Sequence, residues 1–177
     1  PGVYFDGNDA LTVSPGSDWA FGTGDFTVEA FVYHTASNPG GNFEYICDAR
    51  NNSQTAGPWG LSYGYTGGTN LQFASSSGLH VGSSVTPPVN QWFHVAVARS
   101  GTSLKMFIDG VEVGSATNST NFSVAPTTSY IGRRYTVAAH LNGFISNFRV
   151  VKGTALYTSA FTVPSAPLTN VNNTVML

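Results

Sequence analysis

The sequence predicts an all-β fold, an antiparallel two-sheet sandwich of the jelly-roll kind. Three observations carry the prediction. No stretch of ten or more residues spaces its apolar side chains as a helix does. Short runs rich in Val, Ile, Phe, Tyr and Thr recur from end to end, punctuated by Gly, Pro, Asn and Asp. Asp109-Gly110 lies between two such runs, a strong short-range hairpin signal because a type I′ turn needs positive φ at both central positions.

The runs follow one another in order. Phe26-Thr27-Val28-Glu29-Ala30-Phe31-Val32-Tyr33 reads as a strand, set off by Gly22-Thr23-Gly24-Asp25. Glu44-Tyr45-Ile46-Cys47 is a shorter one. Trp59-Gly60-Leu61-Ser62-Tyr63-Gly64-Tyr65 alternates large and small side chains and turns at Gly67-Gly68 into Asn70-Leu71-Gln72-Phe73-Ala74, a hairpin. Phe93-His94-Val95-Ala96-Val97-Ala98 is a strand that Ser100-Gly101-Thr102 turns back into Leu104-Lys105-Met106-Phe107-Ile108. Asp109-Gly110 then leads into Val111-Glu112-Val113-Gly114. The stretch from Ala116 to Thr128 is polar and is expected to form one exposed loop. Ser129-Tyr130-Ile131-Gly132 and the run from Gly143 to Val151 add two more strands. Pro87-Pro88 and the Pro164 to Pro167 stretch mark loops or edges.

Composition narrows the function. Of 177 residues only 9% are charged, against about 25% in an average soluble domain, so surface polarity rests on hydroxyls, amides and glycine-rich turns. A formal net charge of −2 argues against an electrostatic nucleic-acid binder, which needs a basic face. No apolar run approaches the roughly 18–20 residues of a membrane span. One cysteine, Cys47, leaves no internal disulfide framework and no multi-cysteine zinc site. Residues 1–177 read as a single domain. The chain opens at Pro1 with no initiator Met or signal peptide and closes on Val175-Met176-Leu177, which suggests a processed chain or part of a longer one.

Several stretches in order carry a resemblance. Tyr4-Phe5-Asp6-Gly7-Asn8-Asp9 precedes Phe21-Gly22-Thr23-Gly24-Asp25-Phe26-Thr27-Val28-Glu29. Then come Trp92-Phe93-His94-Val95-Ala96-Val97, Phe107-Ile108-Asp109-Gly110 and Ile131-Gly132-Arg133. Asn142-Gly143-Phe144-Ile145-Ser146-Asn147-Phe148-Arg149-Val150 and Gly153-Thr154-Ala155-Leu156-Tyr157 close the series. This order resembles the concanavalin A-like lectin/glucanase superfamily in its laminin-G and pentraxin-like branch. The stretch from Gly153 to Tyr157 and on to Phe161-Thr162-Val163-Pro164 is similar to the version common in bacteriophage structural proteins. The resemblance implies two antiparallel sheets face to face, with ligand or calcium sites on rim loops or on the concave sheet. It does not imply one function, because this fold hosts many.

Each candidate chemistry meets the residues differently. Glycoside hydrolysis needs two carboxylates flanking the scissile bond. The three glutamates, Glu29, Glu44 and Glu112, do not form the Glu-x-Asp-x-x-Glu strand pattern of this superfamily's glucanases. Mid-strand Glu29 is expected to pair with an arginine, Arg149 or Arg99, because buried charges are paired. The pentraxin-type calcium site maps to Asn51-Asn52 near Asp48 and to the stretch after Ile131-Gly132, which here reads Arg133-Arg134-Tyr135-Thr136. Cations stand where a hard dication wants anionic oxygens, so no cofactor is expected; a different calcium cluster would be Asp6, Asn8 and Asp9. His94 shares a strand face with Trp92, Ala96 and Ala98 and reads as a packed structural residue. Cys47 reads as a small buried hydrophobe.

Glycan binding remains. Sugars are held by aromatic faces and by amide and hydroxyl hydrogen bonds. The candidate residues are Trp59, Tyr63, Tyr65, Tyr135 and His140, with Asn51, Asn52, Arg133, Arg134 and Asn142 as polar partners. Arg133-Arg134-Tyr135 would suit an anionic sugar or a neighbouring subunit. The expected function is a non-enzymatic, lectin-like module of a virion or secreted surface protein. It would sit on a virion surface or outside a cell, attach through glycan, and assemble with copies of itself or other surface subunits. The alternatives are a purely structural capsid-decoration or tail module and a degenerate glycosidase.

Overall fold

A computed structural model describes residues 2–35, 43–50, 59–64, 70–136 and 139–177. The described residues form two antiparallel sheets and no α-helix; one 3-10 turn spans Gly16–Trp19. The strands in chain order are β1 (Val3–Asp6), β2 (Leu11–Val13), β3 (Phe26–His34), β4 (Glu44–Asp48), β5 (Trp59–Tyr63), β6 (Leu71–Ser75) and β7 (Gly78–Gly82). They continue as β8 (Trp92–Ser100), β9 (Ser103–Ile108), β10 (Val111–Thr117), β11 (Ser129–Ile131), β12 (Asn142–Lys152) and β13 (Thr174–Met176). A seven-stranded sheet runs β1-β12-β3-β8-β9-β10, with β13 also paired to β12. A six-stranded sheet runs β2-β11-β4-β5-β6-β7.

Alternation along each strand sorts side chains between core and surface. On β3, Phe26, Val28, Ala30 and Val32 join the core between the sheets, so Thr27, Glu29, Phe31 and Tyr33 point outward. The core is aromatic at its centre. Phe21 stacks on Phe26 at 4.3 Å and on Trp59 at 5.3 Å, and Phe73 lies 5.6 Å from Trp59. The Asp109-Gly110 hairpin forms as the sequence predicts, with φ of 49° and 76° at its two central residues.

Two departures from the sequence reading matter. The stretch from Ala116 to Thr128 is not simply an exposed loop. β10 extends to Thr117, Phe122 is fully buried, and the Thr120 carbonyl accepts a hydrogen bond from Arg99. One core-filling Phe within a polar run is enough to pull the segment onto the sandwich. The second departure is the segment from Gly153 to Asn173, which lies as a strap across the outer face of the seven-stranded sheet. The Leu156 amide donates to Thr27 Oγ1, the Phe161 amide to the Gly110 carbonyl, and Arg149 to the Thr169 carbonyl. Tyr157 and Phe161 stack on each other at 3.7 Å and pack against Phe107 of β9.

Candidate functional site

The sequence-chosen residues do not gather in one place. Trp59 is fully buried, donates its indole N–H to the Trp19 carbonyl and stacks within the core. Tyr63 is buried against the His34 ring. Neither offers a face to a sugar: the inward side of β5 packs against the opposite sheet, so its aromatic stripe is core. Asn51, Asn52 and Tyr65 lie outside the described residues. Arg133, Arg134, Tyr135 and His140 do come together, around the end of β11. Arg133 stacks 4.0 Å above the Tyr130 ring and bridges to His140. Asn142, two residues beyond His140, has its carbonyl and side-chain oxygen both accepting from Thr35.

Of the positions considered for calcium, Asp48 and Asp6 already accept hydrogen bonds from the protein, while Asn51 and Asn52 lie outside the described residues. Asp48 is fully buried, and both its oxygens already accept hydrogen bonds from Arg50 and from the Tyr135 amide. Asp6 accepts from the Asn8 amide at 2.8 Å, an Asx turn that uses the carboxylate locally. Among the described residues no three His, Cys, Asp or Glu side chains converge as metal ligands.

A different surface has the make-up of a sugar platform. Tyr4, Phe144, Tyr33 and Trp92 lie directly opposite one another on β1, β12, β3 and β8. Residues in such register share a face, and this is the outward face, since the alternating Phe5, Ile145, Val32 and Phe93 belong to the core. With strands about 4.8 Å apart, the row runs roughly 14 Å across the sheet. The rings touch in sequence, Tyr4 to Phe144 at 4.9 Å, Phe144 to Tyr33 at 5.8 Å and Tyr33 to Trp92 at 5.8 Å. Tyr4 keeps 53% and Trp92 45% of its surface exposed, although both are large enough to be driven inward.

Backbone irregularities shape this surface. A Cβ on Gly143, where φ is 153°, would sit 2.0 Å from the Tyr33 carbonyl oxygen, so glycine alone allows β12 to lie close enough to set Phe144 beside Tyr33. A bulge between Ser146 and Arg149 shifts the register of β12, and Asn147 takes a φ of 50° there. Bulges re-aim side chains, and this one brings Ser146 and Asn147 to the floor of a hollow of about 410 Å³ beside Trp92 and Phe31. Pro164, Ser165, Ala166 and Pro167 of the strap form its far wall. The arrangement sets aromatic faces in a line, and at one end Asn147 Nδ2 donates to Ser146 Oγ while Asn147 Oδ1 accepts from the Leu168 amide.

Farther along the same face, the strap covers a buried polar cluster. Arg149 Nε donates to Glu29 Oε1 at 2.8 Å, while the Tyr157 hydroxyl donates to Oε2 at 2.9 Å and His94 Nε2 lies 2.9 Å from the same oxygen. The expected Glu29–Arg149 pair is therefore present, and Arg99 instead donates to the carbonyls of Gly22, Gly24 and Thr120. Burial works to raise the Glu29 pKa, but the bonds from His94 and Arg149 outweigh it and hold the carboxyl below its ordinary value. Lys105 lowers that of Glu112 in the same sense. A glycosidase's general acid needs the opposite shift. Glu44, the third glutamate, is buried against His34. Cys47 is fully buried, and burial pushes its thiol pKa well up, so it packs as a small hydrophobe.

Comparison with known proteins agrees with this architecture. The sequence profile of the laminin G-like group of the concanavalin A-like lectin/glucanases superfamily matches residues 5–167, and the chain belongs to that superfamily. No curated protein matches the sequence. Several solved structures share the fold at low identity. The carbohydrate-binding module CBM40 of a Ruminococcus gnavus sialidase, bound to α2,3-sialyllactose, superposes with a TM-score of 0.70 at 14% identity, over 89% of this chain and 91% of that one. Domain 4 of the extracellular arabinanase AbnA from Geobacillus stearothermophilus, in complex with arabinotriose, gives 0.63 at 18%, over 87% and 71%. Mouse laminin α1 domains LG4-5 give 0.61 at 15%, over 92% of this chain. The chain spans 46% of that laminin chain, and 44% of a Bacteroides ovatus chain of the same fold.

Proposed function

We propose that this domain is a non-catalytic carbohydrate-binding module that holds a neutral stretch of glycan across the row Tyr4, Phe144, Tyr33 and Trp92. The single observation that carries the reading is that row: four aromatic side chains in cross-strand register on the outward sheet face, exposed at both ends. Aromatic faces stack on the apolar C–H patches of sugars. Fold relatives whose names state carbohydrate binding support the reading without supplying the ligand. The setting we infer is an extracellular or virion surface, where the module attaches its parent assembly to glycan. That setting rests on the similarity of the Gly153 to Pro164 stretch to phage structural proteins.

A glycan array probed with and without chelator tests this function. The expected result is saturable binding that chelator leaves unchanged. Absence of binding by folded protein across neutral and charged glycans would refute it. A purely structural role has one observation in its favour, an apolar hollow of about 560 Å³ between the sheet edges, lined by Val3, Leu11, Ile131, Phe148 and Met176.

A further inference from the structure

On the outer face of the six-stranded sheet, away from the aromatic row, three guanidinium groups lie against tyrosine rings around the end of β11. Asp48 and Tyr130 are paired across β4 and β11, and their neighbours Cys47 and Ile131 belong to the core, so both point outward. Arg50 lies 5.0 Å from the Tyr45 ring and 5.4 Å from the Tyr135 ring. Arg134 lies 5.2 Å from the same Tyr135 ring and 5.9 Å from Phe43. Arg133 rests on Tyr130 at 4.0 Å. Gly132, at a φ of 86° with the Phe5 ring where a Cβ would sit, turns the chain so that both arginines leave the core side.

The charges here do not balance. All nine carboxylates of the sequence lie among the described residues, because the remaining residues contain no Asp or Glu. Glu29, Glu44, Asp48 and Glu112 are taken by Arg149 and His94, by His34, by Arg50 and by Lys105. Burial and Arg133 hold the His140 pKa below its ordinary value, with Asp6 and Asp9 near enough to oppose them in part, but neither aspartate forms an ion pair among the described residues. Asp48 is saturated by Arg50 and the Tyr135 amide. Asp18, Asp25 and Asp109 likewise enter no ion pair among the described residues, so none of the nine is paired with Arg133 or Arg134, and the Nε of each arginine is buried with no hydrogen-bond acceptor. Three guanidiniums share one ion-paired carboxylate, Asp48, with Asp6 and Asp9 near His140 but in no ion pair, on a chain whose net charge is −2. Buried N–H donors are rarely left unpaired, and those that are call for an explanation.

We infer that Arg133 and Arg134 form a site for an oxyanion carried on a polysaccharide, a sulfate ester or a sugar carboxylate. Guanidinium forks match both groups in geometry, and the stacked rings of Tyr130 and Tyr135 hold the forks in place. The site is separate from the aromatic row and stands or falls without it.

The test is binding of dextran sulfate, oligogalacturonate and unmodified dextran, measured by calorimetry on the full chain. The comparison set is wild type, R133Q/R134Q, the charge-matched control K105Q/K152Q, and W92A. The expected result is binding of at least one anionic polymer and none of dextran. Affinity should fall at least about tenfold in R133Q/R134Q, hold in K105Q/K152Q and W92A, and weaken with added salt. The anionic polymer that binds identifies the group as sulfate or carboxylate. R133K/R134K keeps the charge and serves if the glutamine pair does not fold; it should still lose affinity because the fork is gone. Equal losses in R133Q/R134Q and K105Q/K152Q would show only general charge attraction and overturn the inference. So would failure of folded wild type to bind either anionic polymer. Loss of anion binding in W92A alone would place the anion on the aromatic face and overturn it as well.

Discussion

Glu29→Gln should destabilise the domain far more than an ordinary strand substitution. The side chain is fully buried and receives donors on both oxygens, from Arg149, His94 and Tyr157. Gln keeps the volume and one acceptor but removes the charge, and Arg149 is left 5% exposed with no anion. Breaking one side of a buried pair costs about 3–5 kcal/mol, and the retained acceptor places this case near 3. For a domain of this size each kcal/mol moves the midpoint by roughly 2–4 °C, so Tm should fall by about 6–12 °C. The pH dependence gives a second reading. Because the folded pKa of Glu29 is depressed, its stabilisation is complete above the unfolded value and is lost as pH falls through the folded one. Wild type should therefore lose stability in acid below about pH 4.5, and E29Q should lose correspondingly less. Thermal unfolding followed by circular dichroism from pH 7 to pH 3 measures both. A drop under about 1 kcal/mol at pH 7, or parallel acid profiles, would show that the strap and not the charge cluster holds this face.

Three further outcomes follow from the packing. Trp59→Ala removes a fully buried ring from the aromatic core and should cost about 3–5 kcal/mol in denaturant unfolding. Gly143→Ala puts a Cβ 2.0 Å from the Tyr33 carbonyl; it should lose more than about 1 kcal/mol and shift Tyr33 and Phe144 resonances, and unchanged spectra would contradict the close approach. Cys47, buried with its thiol pKa raised, should resist a thiol-reactive dye in the native state and label at the rate of unfolding in denaturant.

The fold was legible because alternation and turn chemistry are local. Asp109-Gly110, the long run from Phe26 and the run from Phe93 each announce a strand or hairpin within a few residues. The strap was not, since Tyr157 and Phe161 find partners on strands distant in the sequence. The same limit hid the candidate site. Parity marks Tyr33 as outward, two steps from charged Glu29, and Trp92 as the partner in parity of His94. What the sequence does not display is the register that sets Tyr4, Phe144, Tyr33 and Trp92 side by side. Trp59 and Tyr63 misled for the converse reason: an alternating aromatic stripe looks alike on the core and on the surface until its sheet has a partner. Arg133 and Arg134 are legible in the sequence as cations in place of carboxylates, and in the structure neither forms an ion pair with an acidic side chain.

The aromatic row is tested most directly by Trp92. Trp92→Ala removes a ring that is 45% exposed, so the fold should survive with little change in Tm. Calorimetric titration of a neutral oligosaccharide identified on the array should then show affinity weakened by about 5- to 30-fold, or about 1–2 kcal/mol. Undiminished affinity in folded W92A would contradict the row as the binding surface.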